Sequence, residues 1–255
     1  MPSDTPTPPR SYALADLPWT DVAAHLATER RLLIPVGVCD QNGPHLPVAA
    51  ATTVAEALAA DLSREFGVLR APTFHYGFTA RTERDFTGTA GLKPKTLHRA
   101  LNELVGAWAC QGFEEFIAVT AGLQDPHVEA LATVRAAGAR VRVVEALSVD
   151  LSQFMEGRKV PEHAGEVLTS LLLHLRPAVV RMDRARDFPF DEAAGRRTDE
   201  RIRRLPEGSP GSVGEPTRAS ADRGRAMYEH ILQKVRAKVF ISPVPAPTDD
   251  SEPEG

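Results

Sequence analysis

Short apolar runs alternate with helical periodicities along this chain, and no other feature constrains its fold as tightly. Leu32-Leu33-Ile34-Pro35-Val36-Gly37-Val38 is a brief apolar run punctuated by proline and glycine, the pattern of a buried strand leading into a loop. From Thr53 to Phe66, the residues Val54, Leu58, Leu62 and Phe66 recur four apart, which predicts an amphipathic helix. A strand is expected at Val68 to Pro72, and a helix marked by Leu97, Leu101, Leu104 and Val105 begins at Pro94 or Thr96 and ends before Gly112. Phe116 to Thr120 and Val141 to Val144 read as two more strands. Between them, Val128, Leu131 and Val134 predict a helix over Pro126 to Ala137, with proline at its start and Gly138 at its end. Strands and helices alternating at these lengths imply an α/β domain with a mainly parallel sheet covered on both faces. Sites in such sheets lie at the carboxyl ends of the strands, which singles out the loops 37–52, 73–89 and 120–127.

A length of 255 residues with 42% hydrophobic side chains is enough for one large core. The domain is expected over residues 12–241. The Pro-rich start, residues 1–11, and the acidic Pro-rich end, residues 242–255, lack core-forming residues and are expected to be disordered tails. A formal net charge of -4 leaves no basic surplus to draw the chain to nucleic acid or to an anionic membrane. Arg196, Arg197, Arg201, Arg203 and Arg204 interleave with Asp199 and Glu200, which suits a solvated helix face better than a nucleic-acid stripe. No apolar run reaches the roughly 18 residues of a membrane span. Only Cys39 and Cys110 are present, and with no signal-like start a reducing, cytoplasmic setting is the expectation.

The first of the three loops, Gly37-Val38-Cys39-Asp40-Gln41-Asn42-Gly43-Pro44-His45-Leu46-Pro47, is dense in polar and rigid residues. Further on come Tyr76-Gly77-Phe78, then Phe86-Thr87-Gly88-Thr89, then Glu162-His163-Ala164-Gly165-Glu166-Val167 before Thr169-Ser170. Last is Gly211-Ser212-Val213-Gly214-Glu215-Pro216 with Ala219 and Gly224. In this order the motifs resemble the creatininase (creatinine amidohydrolase) family over about residues 14 to 240. The resemblance implies a three-layer α/β/α sandwich and a hexameric assembly. It also implies hydrolysis of a small cyclic or linear amide by two divalent cations, zinc or manganese.

The departures from the family pattern fall on the metal ligands. Where the resemblance places a ligand glutamate, a ligand histidine and a bridging aspartate, this chain has Asp40, Asn42 and Ala51; on the second metal loop Gly122 stands at the histidine position and Gln124 where some members carry a carboxylate. Alanine and glycine offer no ligand atom, and a dinuclear site needs a bridging carboxylate with imidazole and carboxylate donors. No metal ligand set and no cofactor are therefore expected.

Asp40, His45, His163 and Glu166 are the polar groups expected to line a pocket. His163 stands where the resemblance implies a proton-transfer histidine, and a helix-capping role for its segment remains open beside that. His45 reads first as a hydrogen-bonded turn residue, Cys39 as a buried small hydrophobe ahead of a nucleophile, and His127 as a solvent-facing first-turn histidine ahead of a substitute ligand. Two classes of function follow. One is a creatininase-like protein that acts on or binds a small amide-like or cyclic metabolite without metal. The other is a non-catalytic subunit that assembles with itself or with an active homologue.

Overall fold

The computed structural model describes residues 11–80, 85–159, 161–188, 205 and 208–241. Almost all of both expected tails and the arginine-rich stretch from Arg196 to Arg204 lie outside these residues. Among the described residues the sheet has four strands, β1 (Arg31–Pro35), β2 (Leu69–Arg70), β3 (Glu115–Thr120) and β4 (Arg140–Glu145), in the order β2-β1-β3-β4. Every pairing is parallel, with Leu32 opposite Leu69 and Phe116, and Ala118 opposite Val143.

Successive strand side chains point to opposite faces, and the two faces carry separate cores. Leu33, Ile117, Val119 and Val144 pack with α2 (Ala50–Phe66), α5 (Glu166–Leu175) and α6 (Ala221–Val235). Leu32, Ile34, Phe116 and Ala118 pack with α3 (Pro94–Ala109) and α4 (Asp125–Ala132), and α1 (Trp19–Leu26) adds Val22 and Leu26 at the margin. Helix, sheet and helix thus form three layers. β1 leads through α2 on one face to β2, whereas β3 leads through α4 on the other face to β4. The connections diverge from the β1–β3 pair, which makes its carboxyl end the switch point where α/β sheets open a crevice.

Element boundaries shift where side chains compete with the backbone. Helix α2 begins at Ala50 and not Thr53, since Ala50 N–H already bonds Pro47 O in the turn before it. Helix α4 stops at Ala132, short of the expected Ala137. Thr133 Oγ1 donates back to Glu129 O at 2.9 Å and Asn102 Oδ1 takes the Arg135 N–H at 2.8 Å, so a hydroxyl and an amide replace the next helical turn. Pro94 does start α3, and Gly67 ends α2 in the left-handed region with φ 63°.

Helices α5 and α6 approach so closely that a Cβ at Gly224 would overlap the Ser170 carbonyl oxygen. Gly106 on α3 has nothing within 4 Å of its missing Cβ. Gly224→Ala should therefore destabilise the fold by about 1–3 kcal/mol through overpacking, while Gly106→Ala should stabilise it by roughly 0.5–1 kcal/mol through helix propensity. Urea-unfolding midpoints of the two variants check this, and equal shifts would contradict the packing described.

Candidate functional site at the carboxyl ends of β1 and β3

The first loop is fastened to its neighbours before it presents any functional group. Val36 N–H bonds Val119 O and Gly37 N–H bonds Phe74 O, both at 2.8 Å, which carries the sheet pairing one step past β1. Thr52 Oγ1 then clamps Val38, accepting its N–H at 3.0 Å and donating to its carbonyl at 2.8 Å. Asp40 follows at 3% exposure, its N–H bonded to Val48 O and its carbonyl accepting Asn42 Nδ2 at 2.8 Å.

From the end of β3, Gln124 reaches across to this loop. Its Oε1 accepts the Ala80 N–H at 3.1 Å, which fixes the amide orientation, and its Nε2 donates to Asp40 Oδ2 at 2.9 Å. One side chain thereby joins all three loops that the carboxyl-end rule selects. A carboxylate paired with a donor is the arrangement that makes a buried charge tolerable.

His127 holds the same three-loop junction from below. It is fully buried, not solvent-facing, because Gly77 and Gly122 leave room for its ring; a Cβ on Gly77 would stand 2.6 Å from Cε1, and one on Gly122 2.9 Å from Cδ2. Phe78 N–H donates to Nδ1 at 3.2 Å, so the neutral ring carries its proton on Nε2, 2.9 Å from Thr120 Oγ1. Thr120 Oγ1 also accepts the Gly122 N–H at 3.1 Å. Burial pushes the His127 pKa down to about 4, which keeps the imidazole neutral.

The fourth wall comes from residues 162–168. Ala164 adopts φ 52°, a left-handed conformation costly for a residue with a Cβ, and it is held there by Val213 N–H on His163 O at 2.8 Å and Gly165 N–H on Glu162 O at 3.2 Å. This turn delivers His163 Nε2 to Gln41, 2.9 Å from its side-chain Nε2 and 3.0 Å from its backbone carbonyl oxygen. The two contacts require opposite tautomers, so the ring makes one at a time. Glu162 has its carboxyl pKa raised by desolvation, against the opposing charge of Arg158.

These parts enclose a cavity of about 50 Å³, room for a few waters or for one end of a small molecule. Asp40, Asn42, Gln124, Glu162 and His163 provide its polar wall, and Val38, Ala51, Phe78, Leu147 and Leu168 its apolar wall. No Lys or Arg is among the described residues that line it.

Two of the four expected pocket residues are therefore at the cavity, Asp40 and His163, and two are not among its lining residues. His45 is buried behind the loop with Nε2 2.9 Å from Thr169 Oγ1, and burial lowers its pKa to about 4. Glu166 accepts the N–H groups of Glu156 and Gly157, both at 2.9 Å, and faces Arg223 Nε at 3.5 Å. Cys39 is half-buried and not the fully buried hydrophobe expected, with Sγ 3.5 Å from Gly88 O. Gln124, His127 and Glu162 were missed as site-forming residues. The sequence signal for His127 is the pair of glycines, Gly77 and Gly122, each placed in a strand-end loop.

The creatininase family model, creatinine amidohydrolase, matches residues 15–239. This chain belongs to the creatininase family. It is 30% identical over 220 residues to the mycofactocin precursor peptide peptidase of Mycolicibacterium smegmatis, covering 79% of this chain and 81% of that one. To the creatinine amidohydrolase of Pseudomonas putida it is 24% identical, over 89% of this chain and 95% of the relative. A solved mutant creatininase of Zn-Zn type superposes with a TM-score of 0.74 at 23% identity, covering 90% of this chain and 98% of that one. The creatininase sandwich is thus the fold of this chain. Among its described residues no three His, Cys, Asp or Glu side chains are grouped so as to hold a metal ion, and no helix is long and apolar enough to cross a membrane.

The two buried histidines give the fold an acid limit. Both have folded pKa values near 4 against about 6.5 when unfolded, so between these values the unfolded chain binds protons that the folded chain refuses. Stability should be intact above pH 6.5 and fall as pH drops from about 6.5 to 4, by up to about 1.4 kcal/mol per pH unit for each histidine. Urea midpoints across this window should decline less steeply in His127→Gln than in the parent. Parallel declines would show that His127 is not buried neutral.

Proposed function

We propose that this chain is a creatininase-family protein whose dinuclear metal site has been replaced by a hydrogen-bonded, metal-free pocket that binds, or acts on, a small amide-like or cyclic metabolite. The observation that carries the reading is the bond from Gln124 Nε2 to Asp40 Oδ2. The residues at two positions that resemble metal-ligand positions are hydrogen-bonded to each other. Zinc or manganese does not fit the groups present: Ala51 and Gly122 supply no donor, Asp40 Oδ2 is bonded to the Gln124 amide, and both nitrogens of His127 are engaged. A substitute metal centre built from Asp40, Asn42, His45 and His127 finds no support in this arrangement.

The chemistry open to the pocket follows from its polar wall. Asp40 is oriented by Gln124 to accept an N–H from an amide or a cationic nitrogen. His163, alternating between two Gln41 contacts, can carry a proton on either ring nitrogen, and Glu162, its pKa raised by burial, can hold a proton nearer to neutrality than a surface glutamate. His45 and Glu166 serve the pocket indirectly, by fixing the first loop on α5 and the turn at residues 156–157. The second reading, a non-catalytic subunit that pairs with itself or with an active homologue, is favoured by these framework roles: motif residues are retained here for packing and hydrogen bonding. The relatives named as a peptide peptidase and as a creatinine amidohydrolase both cleave amide-type bonds by name, which is why an amide-like ligand is the class proposed.

Purified protein should contain far less than one zinc or manganese per chain by elemental analysis. Chelator should leave its melting temperature unchanged, because a ligand that is not bound contributes nothing by mass action. Creatinine hydrolysis should be undetectable, for want of a cation to lower the pKa of water from about 15.7 towards 7. Two tightly held cations per chain would overturn the reading. Among small amides and cyclic ureides screened by thermal shift, turnover that survives chelation and is lost in His163→Ala supports the metal-free enzyme; binding without turnover supports the non-catalytic subunit. Gln124→Glu would set two carboxylates against each other in a buried site and should destabilise the chelated protein by about 1–3 kcal/mol at pH 7, less at pH 5.

A further inference from the structure

The metal-free pocket could reflect ligands lost and nothing more, in which case restoring the ligands would restore the metal. The surroundings of residue 122 say otherwise. A Cβ built on Gly122 lies 2.9 Å from His127 Cδ2, 3.2 Å from Nε2 and 3.4 Å from Val38 Cγ1. Real Cβ atoms essentially never approach a neighbour to the 2.9 Å found at Cδ2, and the 3.2 Å to Nε2 is tight as well, so any residue but glycine at position 122 requires the His127 ring to give way.

The ring has nowhere to go. Its Nδ1 takes the Phe78 N–H, its Nε2 is bound to Thr120 Oγ1, and Gly77 closes its other flank, where a Cβ would be 2.6 Å from Cε1 and 2.7 Å from Nδ1. Swinging the imidazole away would strip the buried Phe78 N–H of its acceptor and leave Thr120 Oγ1 with the Gly122 N–H alone of the two N–H groups it accepts. Three loops are therefore organised around a neutral side chain that belongs to α4.

We infer that His127 occupies the space a side chain at position 122 would need, so that exclusion of metal is built into this chain by the placement of His127 as well as by the ligands it lacks. This rests on the metal-free reading of the pocket, and it adds that reverting the ligand positions alone does not reopen the site. His127 then acts as a positioning residue, fixing Thr120, Gly122 and the loop that carries Phe78, from the wall of the cavity itself.

A double-mutant cycle tests the inference without any metal. Gly122→Ala in the parent should lower the melting temperature by roughly 3 to 9 °C, and in a His127→Ala background by no more than about 2 °C, because the clash has gone. Gly77→Ala is the control, since its Cβ also meets the Gly37 carbonyl oxygen at 2.5 Å and should remain destabilising in both backgrounds. Additive effects of Gly122→Ala and His127→Ala would overturn the inference, whatever the metal content of the parent. A second arm combines Asn42→His, Ala51→Asp, Gly122→His and Gln124→Glu, with and without His127→Ala, and measures zinc per chain after dialysis. Zinc retention roughly tenfold higher when His127 is removed is the expected result, and equal retention in both would overturn it. Two cations found in the parent itself would instead sink the metal-free reading and leave the cycle to decide the steric point.

Discussion

Three strand-end loops converge where the connections from β1 and β3 part in opposite directions, and each brings backbone donors and acceptors that leave the sheet with no partner on the next strand. Something must satisfy them, because unpaired buried N–H and C=O groups cost more than most single contacts return. A cation would organise such a junction by attracting oxygen and nitrogen donors inward. Here the organising groups are an amide and an imidazole: Gln124 links the Ala80 N–H to Asp40, and His127 links the Phe78 N–H to Thr120. Both are neutral, and the carboxylate brought to the junction by the first loop, Asp40, is met there by the Gln124 amide.

The layered fold was legible because it rests on periodicity. Leu32, Leu33 and Ile34 alternate between two cores, and Val54, Leu58 and Leu62 mark one helix stripe, so strand and helix assignments needed no knowledge of the third dimension. Boundaries were less legible wherever a polar side chain competes with the main chain, as Thr133 does at the end of α4. The three loops picked out by strand ends do meet at one cavity. Individual side chains were less legible: Asp40 and His163 line the cavity as expected, whereas His45 and Glu166 do not. His127 follows a proline at a helix start, a place where solvent exposure is the ordinary outcome, and only the missing Cβ atoms of Gly77 and Gly122 make its burial feasible. Two glycines forty-five positions apart in the chain do not announce that they share one ring.

Motif retention also carried less functional information than motif position suggested. Glu166 and His45 sit inside segments that resemble the family most clearly, yet one secures a turn through two backbone N–H groups and the other secures α5 through Thr169. A residue can persist in a motif because the loop cannot be built without it, and the cavity is then lined by its neighbours, Glu162 and His163. Fold and site are separable quantities in this sense: the same hydrogen bonds that shape the pocket need not face into it.

The left-handed turn at Ala164 links the pocket to a distant part of the chain. His163 is aimed at Gln41 only while its carbonyl accepts the Val213 N–H, some fifty residues further on in sequence. During synthesis, the sheet, the first loop and α4 can all be assembled before that residue has emerged, and at that stage the cavity lacks the contact that holds its last wall. The pocket is thus completed by the carboxyl-terminal segment, in which Gly214 pairs with Phe188 and Gly224 packs against Ser170. A chain that ended before residue 213 could retain most of both cores and still present an open crevice in place of a binding site.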